Sequence, residues 1–146
     1  MRVLIVEDST FNAFCLTRLL QVVCQTIHVT VVNDSLQALA YLEKNRPTLI
    51  ILDGDLKALD GLGCNGPALA HTIWAKHADL PIIAWTNSDL MRQAFADVFR
   101  QYGKSFCEHT CWNKIVSPER IVQSLSYLVS QDINPRERAN IKQLYV

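Results

Sequence analysis

Thr48-Leu49-Ile50-Ile51-Leu52-Asp53-Gly54-Asp55 decides the fold. Leu49 to Leu52 is apolar without alternation, the pattern of a short strand covered on both faces. It stops abruptly at two carboxylates around a glycine, which is turn chemistry. Working outward, Val3-Leu4-Ile5-Val6 repeats the pattern and stops at Glu7-Asp8. His28 to Val32 (HVTVV) is rich in β-branched residues, Pro81 to Thr86 (PIIAWT) forms a fourth apolar run, and His109 to Trp112 a weaker fifth.

Amphipathic stretches fill the intervals. Ser9-Thr10 offers a helix cap, with Phe11, Phe14, Cys15, Leu19, Val22 and Val23 following at helical spacing. Asn33-Asp34-Ser35 opens a second helix through Leu36, Leu39, Ala40 and Leu42, which Arg46-Pro47 stops. The loop from Asp53 to Gly66 holds four of the five glycines, and Pro67 opens a third helix towards His77. Ser88 or Asn87 caps a fourth, with Leu90, Met91, Ala94, Phe95, Val98, Phe99 and Tyr102 on a broad apolar face that ends at Gly103. Ser117-Pro118 starts a fifth, carrying Ile121, Val122, Leu125, Leu128 and Val129. Strands alternating with helices imply right-handed crossovers and an α/β, doubly wound parallel sheet with helices on both faces. Residues 1–130 are expected to form one domain, and 131–146 a C-terminal tail or short extra helix.

Composition narrows the function. The 146 residues are 49% hydrophobic and 19% charged, with fourteen Lys+Arg against fourteen Asp+Glu. That balance argues against a broad phosphate-binding surface and so against direct nucleic-acid binding. No apolar run approaches the ~18 residues of a membrane span. Acids at Glu7 and Asp8 come too early for a signal peptide, so a cytoplasmic protein without membrane contact is expected. Cys15 and Cys24 lie in an apolar stretch and read as small buried hydrophobes. Cys107-Glu108-His109-Thr110-Cys111 lacks the second ligand pair that a structural zinc site needs.

In open α/β sheets, ligands bind beyond the carboxyl ends of the strands. Glu7 and Asp8 follow the first strand, Asp53 and Asp55 the third, Thr86 closes the fourth, and Lys114 lies past the fifth. Taken singly, each has an ordinary reading: Asp8 as a helix cap, Asp53 as a turn residue, Thr86 as a strand end, Lys114 as a solvated charge. Taken together they converge on one sheet edge. Clustered carboxylates repel unless protons or a cation intervene. A hard divalent ion such as Mg²⁺ suits them, and a remaining carboxylate is then a candidate nucleophile towards phosphorus.

These residues resemble the response-regulator receiver domain (CheY-like) of two-component signalling, over about residues 2–130. Val3-Leu4-Ile5-Val6-Glu7-Asp8-Ser9-Thr10-Phe11-Asn12 is similar to the family's apolar strand, acidic pair and helix-one asparagine. Leu52-Asp53-Gly54-Asp55-Leu56-Lys57-Ala58-Leu59-Asp60-Gly61 resembles its Asp-x-x-Met-Pro-x-Met-Asp-Gly loop. Ile82 to Thr86 and Asn113-Lys114 are similar to its fourth strand and its lysine after strand five. The resemblance implies a flavodoxin-like five-stranded sheet of order 2-1-3-4-5 in three α/β/α layers. It also implies that Asp53 is phosphorylated, and that Glu7, Asp8, Asp53 and the backbone carbonyl of Asp55 hold Mg²⁺ (or Mn²⁺). Thr86 and Lys114 would then contact the phosphoryl group. A histidine kinase or histidine phosphotransfer protein is the implied donor. A downstream protein target is expected at an output surface including Cys111, Trp112 and Phe99, and a homodimer is an open alternative. Acceptance and hydrolysis would be self-catalysed, without enzymatic turnover.

Four positions depart from the family pattern. Lys57 and Ile115 stand where proline is usual, Cys111 where an aromatic is usual, and Asn87 where a small residue is usual. A trans bond or shifted loop is expected at Ile115, and Asn87 is expected to crowd Asp53. These departures support an alternative, a degenerate receiver acting as a constitutive protein-interaction module. Asp53-Gly54-Asp55 also resembles the Asp-x-Asp of haloacid-dehalogenase-type phosphatases, but that motif usually follows a first strand.

Overall fold

A computed structural model describes residues 1–56 and 65–132, with Gln131 and Asp132 in backbone only. Lys57 to Cys64, which includes the second half of the glycine loop, and the tail beyond Asp132 lie outside the described residues. The elements run β1 (Arg2–Val6), α1 (Thr10–Val23), β2 (His28–Val32), α2 (Ser35–Lys44), β3 (Leu49–Asp53), α3 (Gly66–Lys76), β4 (Ile82–Trp85), α4 (Asp89–Gln101), β5 (Cys111–Trp112) and α5 (Pro118–Asp132). All strands are parallel, in the order β2-β1-β3-β4-β5. This is the flavodoxin-like order expected from the sequence. No helix among the described residues is long and apolar enough to cross a membrane.

The helix starts follow local chemistry. Ser9, Asp34, Asn65 and Ser88 are the N-caps of the first four helices, each accepting a hydrogen bond from the backbone N–H three residues on. Because Ser9 caps α1, the Asp8 carboxylate is not used as the cap. Gly66 begins α3 against the end of β3, where a Cβ would lie 2.1 Å from the Asp53 backbone oxygen. Only glycine fits there. Gly103 closes α4 at φ +66°, the left-handed conformation that glycine adopts without steric penalty.

Two apolar layers sandwich the sheet. Val3, Ile5, Ile51, Ile83, Trp85 and Trp112 pack towards α1 and α5, while Leu4, Val6, Ile50, Leu52, Ile82 and Ala84 face the cluster of Trp74, Phe95 and Phe99. Burial on both sides explains the unbroken apolar runs.

Three expectations are corrected. The stripe of α1 named from its spacing is mostly outside: Phe11, Phe14, Cys15 and Val22 are exposed, while Ala13, Leu16, Leu20 and Val23 are buried. Phe99 and Trp112, expected at an output surface, are interior. Phe99 meets Trp74 edge-on at 4.7 Å between centroids, and the Trp112 indole donates to Ser124 Oγ at 2.8 Å. The fifth strand is shorter than its apolar run, because the Thr110 hydroxyl binds back into the preceding turn, accepting from Cys107 N–H at 3.0 Å.

Candidate functional site

Strand register assembles the site. Val6 pairs with Leu52, so Glu7 and Asp53 emerge side by side. Asp53 pairs with Trp85, and Trp85 with Trp112, which sets the turns carrying Thr86 and Lys114 next along the same edge. The Thr86 N–H donates to Trp112 O at 2.9 Å, tying those turns together.

Carboxylate oxygens of Glu7, Asp8 and Asp53 lie within 4.8 Å of one another. They line an open cavity of about 340 Å³ with Ser9, Asn12, Asp55 and Lys114. Glu7 and Asp53 are buried, Asp8 is half-buried and Asp55 exposed. The Lys114 ammonium bonds to Glu7 Oε2 and lies 2.7 Å from Asp53 Oδ1. One ammonium thus pairs with two of three clustered carboxylates, so the notch holds more acids than Lys114 alone can balance. Burial pushes the Glu7 carboxyl above its ordinary value of 4.5, opposed by its bonds to Lys114 and to the Ser9 N–H at 2.9 Å. Hard oxygen donors converging on an under-compensated notch fit a divalent cation of the Mg²⁺ class.

Lys114 is seated by residues that the sequence did not single out for that role. Its ammonium lies 3.9 Å from the Trp85 ring centroid, its carbonyl accepts from Trp85 Nε1 at 3.3 Å, and its N–H donates to Asn87 Oδ1 at 2.8 Å. Asn87 therefore reaches across to the lysine turn instead of crowding Asp53. The Lys114–Ile115 peptide is trans, as expected without proline. Thr86 is buried beside Gly54, where a Cβ would lie 3.0 Å from its Oγ1, and that oxygen accepts from Ser88 N–H at 3.1 Å. Accepting there leaves the hydroxyl proton available. Cys111 is half-buried, and burial raises its thiol pKa against the opposing effect of Arg92.

The expected acids and lysine are thus together, with Thr86 at their edge and Cys111 at the neighbouring strand. Sequence reasoning missed Trp85 as a seat for the lysine because a strand aromatic reads as core, and it gave Asn87 the wrong neighbour, Asp53 in place of the lysine turn. The one available signal was an indole directly before the threonine.

The family model of the response regulator receiver domain matches residues 3–104. Among curated proteins, none matches the chain. Solved structures share its fold at low identity. The receiver domain of NtrX from Brucella abortus is 19% identical with a TM-score of 0.71, covering 89% of this chain and 99% of its own. The signal receiver domain of a DNA binding response regulator (merR) from Colwellia psychrerythraea is 21% identical, TM-score 0.69, over 90% and 99%. The chemotaxis response regulator CheY4 of Vibrio cholerae is 22% identical, TM-score 0.66, over 87% and 97%. With a family match spanning well over half its length, and with the parallel sheet and acidic edge described above, this chain belongs to the response regulator receiver domain family.

Proposed function

We propose that this receiver accepts a phosphoryl group on Asp53 from a histidine kinase or histidine phosphotransfer protein and thereby changes its contacts with a downstream protein. The observation that carries this reading is the Lys114 ammonium 2.7 Å from Oδ1 of the buried Asp53, inside the three-carboxylate notch. An Asp53 oxygen attacks phosphorus, the P–N bond of the phosphohistidine breaks, and its electron pair stays on the imidazole nitrogen. Lys114 neutralises charge on the transferring oxygens, and Thr86 donates its free hydroxyl proton to one of them. Glu7, Asp8, Asp53 and the Asp55 carbonyl would hold Mg²⁺ or Mn²⁺, which supplies further charge neutralisation at the phosphoryl oxygens. Hydrolysis of the acyl phosphate is self-catalysed in this reading, and no other substrate is turned over.

Incubation with acetyl phosphate and Mg²⁺, followed by intact and peptide mass spectrometry, tests it. A gain of one phosphoryl group on Asp53 is expected, and absence of any gain overturns it. The alternative of a constitutive interaction module draws on Cys111, which leaves no aromatic ring at that position to follow Thr86. That module would keep the fold without the switching, so its contacts with a partner would be the same before and after acetyl phosphate treatment.

The donor's chemistry is suggested by the surface around the notch. Phe11 and Ile115 adjoin the cavity residues Asn12 and Lys114 in sequence and are 73% and 94% exposed; Phe14, one turn along α1, is 62% exposed. Exposed large apolar side chains beside a charged notch suit a protein donor better than a small ester. Phe14→Asp and Ile115→Asp are expected to slow transfer from a phosphohistidine protein tenfold or more, about 1.4 kcal/mol each. Labelling by acetyl phosphate should stay unchanged. Equal slowing with both donors would place these residues in the chemistry instead.

A further inference from the structure

The turn after β4 carries Thr86, and β5 with its following turn carries Cys111, Asn113 and Lys114. In this chain a side chain of α4 spans the two. Arg92 Nη2 donates to Asn113 Oδ1 at 3.1 Å and lies 3.5 Å from the Thr86 carbonyl oxygen. Its Nη1 is bound to Asp89, one turn back on the same helix. A guanidinium presents its donors in a fixed plane, so it holds acceptors on separate elements in one relative position; a lysine ammonium has no such fork. Asn87 adds a second strap from the Thr86 turn to the Lys114 N–H at 2.8 Å. Arg92 is about two-thirds buried and forms part of the wall of an open cavity of about 670 Å³ with Cys111 and Asn113.

Resting on the phospho-acceptor reading above, we propose that Arg92 is a positioning residue that carries displacement of the Thr86 turn to the β5 edge through Asn113. Movement of Thr86 towards a phosphoryl group shifts its carbonyl and the start of α4, and the bridged Asn113 side chain follows. The small Cys111 side chain gives no steric route of its own, so the Arg92 bridge adds a side-chain link to the Thr86–Trp112 backbone bond and the Asn87 strap. The cost of moving one end is shared with the other.

Hydrogen exchange by mass spectrometry, with and without beryllofluoride plus Mg²⁺ as the phosphoryl analogue, tests this on the full chain. In the wild type, the segments 86–92 and 107–114 should both change. In Arg92→Ala and Asn113→Ala, 86–92 should still respond while the change at 107–114 falls at least threefold. Asn113→Asp, which turns the bridge into a charge-assisted pair, should restore it. A response at 107–114 that is unaltered in both alanine variants overturns the proposal, and so does a failure of Asn113→Asp to restore it. Asp53 labelling by acetyl phosphate, measured in parallel, separates the two levels. Labelling with uncoupled segments in the wild type overturns the bridge alone, whereas no labelling overturns the phospho-acceptor reading and the bridge with it.

Discussion

Asp53→Asn is expected to remove phosphoryl labelling completely while the wild type gains one group. The amide nearly preserves the volume of the side chain at the end of β3, where Asp53 is buried and its neighbours are close. It removes the carboxylate nucleophile, since an amide oxygen does not yield a stable acyl phosphate by attack on phosphorus. Neither packing nor the strand register needs the charge, so the fold should persist. Circular dichroism and the thermal transition serve as the check on that point. Lys114 retains Glu7 as a partner in the variant, which keeps the ammonium in the notch. Labelling of Asp53→Asn at the wild-type rate would assign the acceptor to another carboxylate, with Asp8 the first to examine because its oxygens share the notch.

Why the acids were legible, and the seat of the lysine was not, follows from what sequence encodes locally. Leu49 to Leu52 ends on Asp53, and Val3 to Val6 ends on Glu7, so strand ends and carboxylates coincide along the chain itself. Parallel pairing then brings the ends to one edge. The bond between Asn87 and the Lys114 N–H joins turns 27 residues apart, and it is defined only once β4 and β5 are in register. The same limit explains α1. Its sequence TFNAFCLTRLLQVV has apolar residues on more than one face, so Phe11, Phe14, Cys15 and Val22 keep a helical period as well as Ala13, Leu16, Leu20 and Val23 do. The sheet and α5 select the second set, and no local signal anticipates that choice. Trp112 went astray for a related reason: a residue beside a family switch position was read as surface, but in a two-sided sheet its side chain enters the core. Phe99, by contrast, is on the inner face of α4, packed against Trp74.

Lys114→Met should destabilise the fold at neutral pH and make it responsive to divalent cations. Methionine matches the aliphatic stem of lysine and can still pack on Trp85, so the change is mainly loss of charge. Glu7 and Asp53, at 2% and 5% side-chain exposure, then face each other without the ammonium. Stranding buried charge by deleting its partner costs on the order of 3 kcal/mol. Because burial already raises the folded-state pKa of Glu7, and losing Lys114 removes an opposing influence, the variant binds a proton there more tightly folded than unfolded. Stability from this group is therefore fully present below the ordinary value of 4.5 and is lost as pH rises through the elevated folded value. Thermal melts of Lys114→Met should show the deficit at pH 7 shrinking as pH falls towards 4.5. Millimolar Mg²⁺ should recover part of it at pH 7, since a cation among the same oxygens replaces the missing charge. A variant as stable as the wild type at pH 7, with no response to Mg²⁺, would mean that the carboxylates do not share one electrostatic site, and the acidic notch could not then organise a phosphoryl group.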